Sequence, residues 1–354
     1  MIDPHVHLRD DNQASKETIV HGLSVASFIG DQWLFDMPNC DPPLTSKEAI
    51  VRRLEKAAAA IATVGQQTGR SIRYSLYAGL TSDDAEIRMA VEAWRELFPH
   101  VVGLKLFAGN STGGMGQVTE QQQRHIYGQL AAFGFDGLLA VHCEKESLLR
   151  PELENGEDFS THSDARPVEA EIESVRDQIR LSGEAGFQGT LHIAHVSTIG
   201  TVELVERARG TGRKITMGVT PHHLLLDRKM AKDRKLFAKM NPPLRSPEER
   251  TRLWQALLEG RIDWVETDHA PHTLDDKRNG ASGIPGFCGV LLLLQRLRKA
   301  GVCEERLKDL FGGNVLRVFR LEPIPITLPG VEDVEELAAM AASCYPFDSY
   351  QGLE

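Results

Sequence analysis

The feature that most constrains this chain is an alternation of short apolar runs with longer helix-patterned segments. Runs of strand length lie at 2–8, 33–37, 72–79, 101–107, 138–142, 190–196, 214–219 and 262–267. Helical patterns separate them at 46–66, 82–97, 118–133, 166–185, 199–209 and 247–258, and two more, 288–299 and 303–317, follow the last run. Segment 46–66 is alanine-rich with Ser46 placed as an N-cap. Segment 166–185 sets Val168, Ile172, Val175, Ile179 and Leu181 near helical period. Eight strands alternating with helices over this length predict an α/β fold, a (β/α)8 TIM barrel. An open doubly wound sheet is the competitor, but no G-x-G-x-x-G follows the first strand. In a barrel, functional groups gather at the carboxyl ends of the strands, so the residues standing there decide the chemistry.

The first strand carries Asp3-Pro4-His5-Val6-His7-Leu8-Arg9-Asp10. Side chains two apart share a strand face, so His5, His7 and Arg9 point the same way. Two convergent imidazoles are half a set of zinc ligands, and an arginine beside them suits a carboxylate. Lys105 lies within Gly103-Leu104-Lys105-Leu106-Phe107, an apolar strand where a lysine is out of place. Burial there lowers its pKa, and a neutral amine can add carbon dioxide to become a carbamate able to bridge two metals. His142, His195 and Asp268 end strands five, six and eight. Each alone has an ordinary reading: a lysine reaching solvent, a packing histidine, an aspartate capping the next helix. Their joint placement points to a metal centre. His192, three before His195, faces the other side and reads as a supporting or packing residue.

Composition removes several function classes. Asp and Glu number 50 against 40 Lys and Arg, a net charge of −10, which disfavours nucleic acid and anionic membranes as partners. No run of about 18 apolar residues exists to span a bilayer, and Met1 opens directly into the first strand, so no secretory signal is expected. The cysteines Cys40, Cys143, Cys288, Cys303 and Cys344 are scattered with no C-x-x-C, which fits a reducing cytoplasmic compartment.

From about Ile2 to about Leu321 the chain resembles the amidohydrolase superfamily and, within it, the dihydroorotases. The first-strand motif carries the likeness together with Asp36-Met37-Pro38-Asn39, Lys105-Leu106-Phe107 followed by Gly109-Asn110-Ser111-Thr112-Gly113, and Val141-His142-Cys143-Glu144. His192-Ile193-Ala194-His195-Val196-Ser197-Thr198, Pro221-His222-His223-Leu224, Met240-Asn241-Pro242-Pro243-Leu244-Arg245 and Thr267-Asp268-His269-Ala270-Pro271-His272-Thr273 complete it. The metal motif is shared across the superfamily, whereas His-x-His-x-Arg with Met-Pro-Asn is more particular to dihydroorotases. The resemblance implies two Zn²⁺ per chain, bridged by carboxylated Lys105 and a hydroxide. His5, His7 and Asp268 would hold one ion and His142 and His195 the other, a pair with net positive charge that supplies hydroxide near neutral pH. Asp268 would take the proton of the attacking group and pass it to the departing ring nitrogen. The activity implied is reversible interconversion of N-carbamoyl-L-aspartate and (S)-dihydroorotate in de novo pyrimidine (UMP) biosynthesis.

Arg9 and Asn39 suit the carboxylate of a small ring, and His272 resembles a residue that also touches it. Asn241 is similar to another substrate-facing position, and Pro285 and Gly286 are expected to bring backbone groups to the ring's amide edge. The Gly109–Gly116 stretch reads either as a lid with Thr112 donating to substrate or as a plain connection. His222 and His223 either approach the site or are structural.

The expected organisation is a barrel over 1–321 and a tail over 322–354, without the accessory β-sandwich of many relatives. The tail holds Pro323, Pro325 and Pro329 and a helix near 332–343; it packs across the barrel base or serves a subunit contact. Cys40 stands where threonine is more usual, and a thiol near zinc would be inhibitory; Asp11 replaces a common proline. The expected partner is a small-molecule substrate, with a homodimer and an aspartate transcarbamoylase association implied by the resemblance. Two readings compete: another cyclic-amide hydrolase (allantoinase, dihydropyrimidinase or hydantoinase), and a catalytically silent dihydroorotase-like subunit.

Overall fold

The computed structural model describes residues 1–111 and 113–353. Its strands are β1 (Ile2–Val6), β2 (Trp33–Asp36), β3 (Arg73–Gly79), β4 (Val101–Ala108), β5 (Leu138–Cys143), β6 (Thr190–Ile193), β7 (Ile215–Val219) and β8 (Trp264–Val265). They pair in sequence order as one 8-stranded parallel sheet, the arrangement that right-handed β-helix-β crossovers produce. The ring closes through β1 and the segment after β8. Thr267 N–H donates to Asp3 Oδ1 at 3.1 Å and its hydroxyl bonds the same carboxylate. His7 N–H donates to the His269 carbonyl at 2.7 Å. A buried carboxylate therefore replaces ladder bonds that two-residue β8 is too short to make.

Four strands end earlier than the sequence predicts: β1 at Val6 rather than 8, β2 at Asp36 rather than 37, β6 at Ile193 rather than 196 and β8 at Val265 rather than 267. For the last two the reason lies just beyond the end: His195 has φ of 40° and Asp268 has φ of 49°. That left-handed backbone cannot continue a ladder. A helix not expected from the sequence, Ile19–Phe28, connects β1 and β2; its apolar residues are spread around the helix rather than along one face, which hides any helical period. The expected helix 303–317 is broken at Gly312 (φ 154°), giving Glu304–Lys308 and Asn314–Phe319 on either side. The cap expected at Ser46 is present, its side chain accepting from Ala49 N–H at the head of the helix Lys47–Thr68.

Aromatic and aliphatic side chains fill the amino end of the barrel. Ile2, Trp33, Phe35, Tyr77, Trp264 and Phe319 form one buried cluster, with the Phe35 and Phe319 rings 5.1 Å apart edge to face. This plug closes the barrel axis at that end, and the cavity formed by the strand ends opens at the other. The tail begins at the base, where the Met1 ammonium donates to Thr327 O at 3.1 Å. It climbs the side of the barrel as the helix Val334–Ser343, packed on the helix Phe287–Lys299. Residues beyond it reach the functional end: Arg234 Nε donates to Ser349 O at 2.8 Å, and Tyr345 donates to Glu17 at 2.8 Å.

Candidate metal centre

The strand ends deliver His5, His7, Lys105, His142, His195 and Asp268 to the wall of one cavity. One ligand atom each from His5, His7 and Asp268 lie within 4.8 Å of one another. His7 Nε2 is 2.9 Å from Asp268 Oδ1, and His5 Nε2 is 3.4 Å from the same oxygen. On the far side, His142 Nδ1 faces His195 Nε2 at 3.1 Å. The His5 ring lies 5.3 Å from both the His7 and the His195 rings and joins the two groups.

The chemistry of this donor set suits cations. Both His5 ring nitrogens, Lys105 Nζ and His195 Nδ1 are buried with no hydrogen-bond partner among the described residues, a costly state for polar atoms unless something else satisfies them. Asn39 Oδ1 sits 2.7 Å from His7 Nδ1. His7 Nε2 then faces the Asp268 carboxylate, a pairing of imidazole and carboxylate donors that suits a divalent cation. Burial, with Lys105 adding to it, depresses His5 to about 4, and burial pulls His195 well below its usual value. Both imidazoles are thus neutral, the form that binds metal. Burial also lowers Lys105 to about 8 against the opposing pull of Asp268 and Glu266. Burial pushes the Asp268 carboxyl up, but His7, His5 and His222 outweigh it and hold the group below the carboxylate range.

Carboxylates that sequence reasoning passed over orient these groups. Glu266 accepts from His195 N–H at 2.6 Å, His192 Nε2 at 3.1 Å and Trp264 Nε1 at 3.0 Å, and stands 3.4 Å from His5. A Cβ on Gly218 would lie 2.4 Å from its carboxylate, so β7 needs glycine there. Glu144 lies 3.1 Å from His142 Nε2 and accepts from Arg166 Nε at 3.0 Å. A charged residue inside an otherwise apolar strand end singled out Lys105, and the same signal marks Glu266.

The residues expected at the substrate divide. Arg9, Asn39 and Asn241 line the cavity. Arg9 is buried, its Nε donating to Pro271 O at 3.3 Å and an Nη lying 3.4 Å from His272 Nε2. Asn241 Oδ1 accepts from Ser282 at 3.2 Å and lies 2.9 Å from His162 Nε2. His272 sits behind Arg9, with Nε2 3.0 Å from Ser282 O. Pro285 and Gly286 do not form the wall beside it; Ser282 and Gly283 do. Gly286 N–H is instead directed at His269 Nδ1, 3.0 Å away. Thr112 lies outside the described residues. Cys40 does not line the cavity; its thiol donates to Pro42 O at 3.2 Å, and burial raises it to about 11. His223 is held by Thr220 and by Pro242 O, while His222 packs on it with ring centroids 4.4 Å apart.

No protein-family model matches the chain. It is 35% identical over 327 residues to dihydroorotase of Halobacterium salinarum, covering 91% of this chain and 72% of that protein. Dihydroorotase of Thermococcus kodakarensis is 32% identical over 326 residues, covering 91% and 68%. Among solved structures, L-hydantoinase (dihydropyrimidinase) from Arthrobacter aurescens superposes with a TM-score of 0.78 at 26% identity, over 93% of this chain and 72% of that one. Dihydroorotase from Campylobacter jejuni shares the fold at a TM-score of 0.67 and 18% identity, over 92% and 84%. Fold and neighbours together define the class, the cyclic amidohydrolase barrels. The sequence relatives narrow it: this chain belongs to the dihydroorotase family.

Proposed function

We propose that this protein is a zinc-dependent dihydroorotase of pyrimidine biosynthesis, working in the cytoplasm. His5, His7 and Asp268 would hold one zinc, His142 and His195 the other, with carboxylated Lys105 between them. The observation that carries this reading is the convergence of these buried donors beside the Arg9 guanidinium in a single cavity. When bound, a zinc pair lowers the pKa of water and polarises an amide carbonyl.

The chain's own residues supply the rest. Arg9 and Asn39 take the carboxylate of dihydroorotate, with the His272 ring packed behind the guanidinium. Asn241 borders the ring. Asp268 accepts the proton of the water that adds to the ring carbonyl and delivers it to the ring nitrogen as the C–N bond breaks. The carbonyl carbon becomes the new carboxylate of N-carbamoyl-L-aspartate and the nitrogen its terminal NH2. Ring closure runs these steps backwards. The left-handed backbone at Asp268 aims the carboxylate across the cavity mouth, a strained conformation of the kind that clusters at reactive positions. A homodimer and an association with an aspartate transcarbamoylase belong to the same reading, and light scattering on the purified protein, alone and mixed, tests them.

The deciding experiment follows ring opening of dihydroorotate in the ultraviolet and counts zinc per chain. The wild type should turn over with close to two zinc ions. Lys105→Ala and Asp268→Ala should each lose about a thousandfold or more in kcat, as removal of a reacting group does. Turnover of dihydrouracil but not dihydroorotate would make the protein a different cyclic-amide hydrolase. Absence of bound metal would make it a scaffold.

A further inference from the structure

We infer that Lys277 is a positioning residue for the substrate, its buried ammonium tying together the two loops that form one wall of the cavity. The inference rests on that cavity being the substrate site. One loop follows β7 and presents Met240 and Asn241; the other follows β8 and presents Ser282 and Gly283. Lys277 Nζ donates to Lys239 O at 3.0 Å in the first loop, and to Ala281 O at 2.9 Å and Gly283 O at 2.8 Å in the second. An ammonium has three hydrogens and these carbonyls use all of them.

The arrangement is costly for a merely structural turn. Lys277 is 1% exposed, and no ion pair to it is found among the described residues. An ammonium without a counterion is expensive to bury. Burial, with Lys239 nearby adding to it, depresses Lys277 to about 7, against the pull of Asp276. A methionine would fill the same space but take this donor from the carbonyls of Ala281 and Gly283 and leave Lys239 O with Gly283 N–H alone. The lysine is therefore explained by what it holds in place.

What it holds leads to the substrate. Gly283 N–H donates to Lys239 O at 3.0 Å, so the loops also meet directly at the lysine. Ser282 donates to Asn241 Oδ1 at 3.2 Å, and Ser282 O lies 3.0 Å from His272 Nε2. His272 in turn backs Arg9 at 3.4 Å. Gly283 has no room to drift: a Cβ there would lie 2.8 Å from Ala270 O and 2.9 Å from His272. A shift of this wall thus reaches both Asn241 and the guanidinium, while the histidines of the metal centre stand on other strands. The tail completes the device, with the Phe347 ring 5.6 Å from Nζ and stacked on Phe237 at 4.9 Å.

The test compares wild type, Lys277→Met and Phe347→Leu by kcat, KM, zinc content and thermal melting. Lys277→Met should raise KM about tenfold or more with kcat within about threefold, because the lost bonds serve binding more than the chemical step. Zinc content should stay at the wild-type value. Phe347→Leu should raise KM about threefold in the same pattern. A folded Lys277→Met with wild-type KM overturns the inference, as does loss of zinc with kcat and KM changing together. If Lys277→Met does not fold, Phe347→Leu decides alone, and unchanged KM overturns the inference. Should the wild type prefer another cyclic amide, the same comparison is made with that substrate, so failure of the dihydroorotate reading is seen separately.

Discussion

Asn39 shows how one residue serves the centre from a distance. Its carbonyl oxygen fixes the His7 ring through Nδ1, leaving Nε2 directed at Asp268. Partners of this kind set the tautomer and tilt of a ligating imidazole, and removing one typically weakens metal binding about 10- to 100-fold. Asn39→Ala should therefore lose zinc to a chelator at correspondingly lower chelator concentration, with its melting temperature in the apo form little changed. Unchanged zinc retention would place Asn39 with the substrate alone. The sequence made Lys105 and the histidines legible because burying a charged or ligating side chain at an apolar strand end costs energy that only a bound partner repays. It left Asn39's second partner illegible, since contact with His7 depends on how β1 and β2 sit side by side.

Among the elements, the helix Lys47–Thr68 holds the turn that leads from β1 to Arg9. Arg53, buried on its inner face, bonds Asp36 at 2.7 Å and donates to the carbonyls of Leu8 and Arg9 at 2.5 and 2.6 Å. Leu8 N–H donates to Asp36 Oδ1 at 2.9 Å, so the turn carrying Arg9 out of β1 is held from both sides. Breaking a buried ion pair by removing one partner costs about 3–5 kcal/mol. Arg53→Met should show a loss of that order in urea unfolding. In any folded fraction KM should rise, since Arg9 loses the anchor for its backbone. A stability within about 0.5 kcal/mol of wild type, the range of an ordinary surface substitution, would refute this assignment. Helical period in the sequence finds this helix and its cap and sets Arg53 on one stripe with Ile50, Ala57 and Ala60, but it does not say what a guanidinium buried there bonds. Only the bend of the chain after β1 gives the guanidinium its carbonyl partners.

At the scale of the whole molecule, the tail joins base to functional end. Tyr345 donates to Glu17 Oε1 at 2.8 Å, and Glu17 lies 3.3 Å from His269, the residue after Asp268. Tyr345→Phe leaves a buried carboxylate oxygen short of a donor, at a cost of about 1–3 kcal/mol. Urea unfolding should show that loss with the m-value unchanged; an unaltered midpoint would mean the tail is only laid against the barrel. Nothing in the proline-rich stretch Pro323–Pro329 foretells this path, because it is fixed by partners more than 300 residues away in the chain. The sequence by itself determined the barrel, through its strand-and-helix alternation, and which residues stand at its rim, since neighbours two apart must share a face. Tertiary structure alone decided how His195 and Asp268 leave their strands and which carboxylates face which histidines. It also decided that Lys277 reaches across to the loop before Asn241. The physical reason is that periodicity is a local property of the backbone, whereas these contacts exist only once the ring of strands has closed.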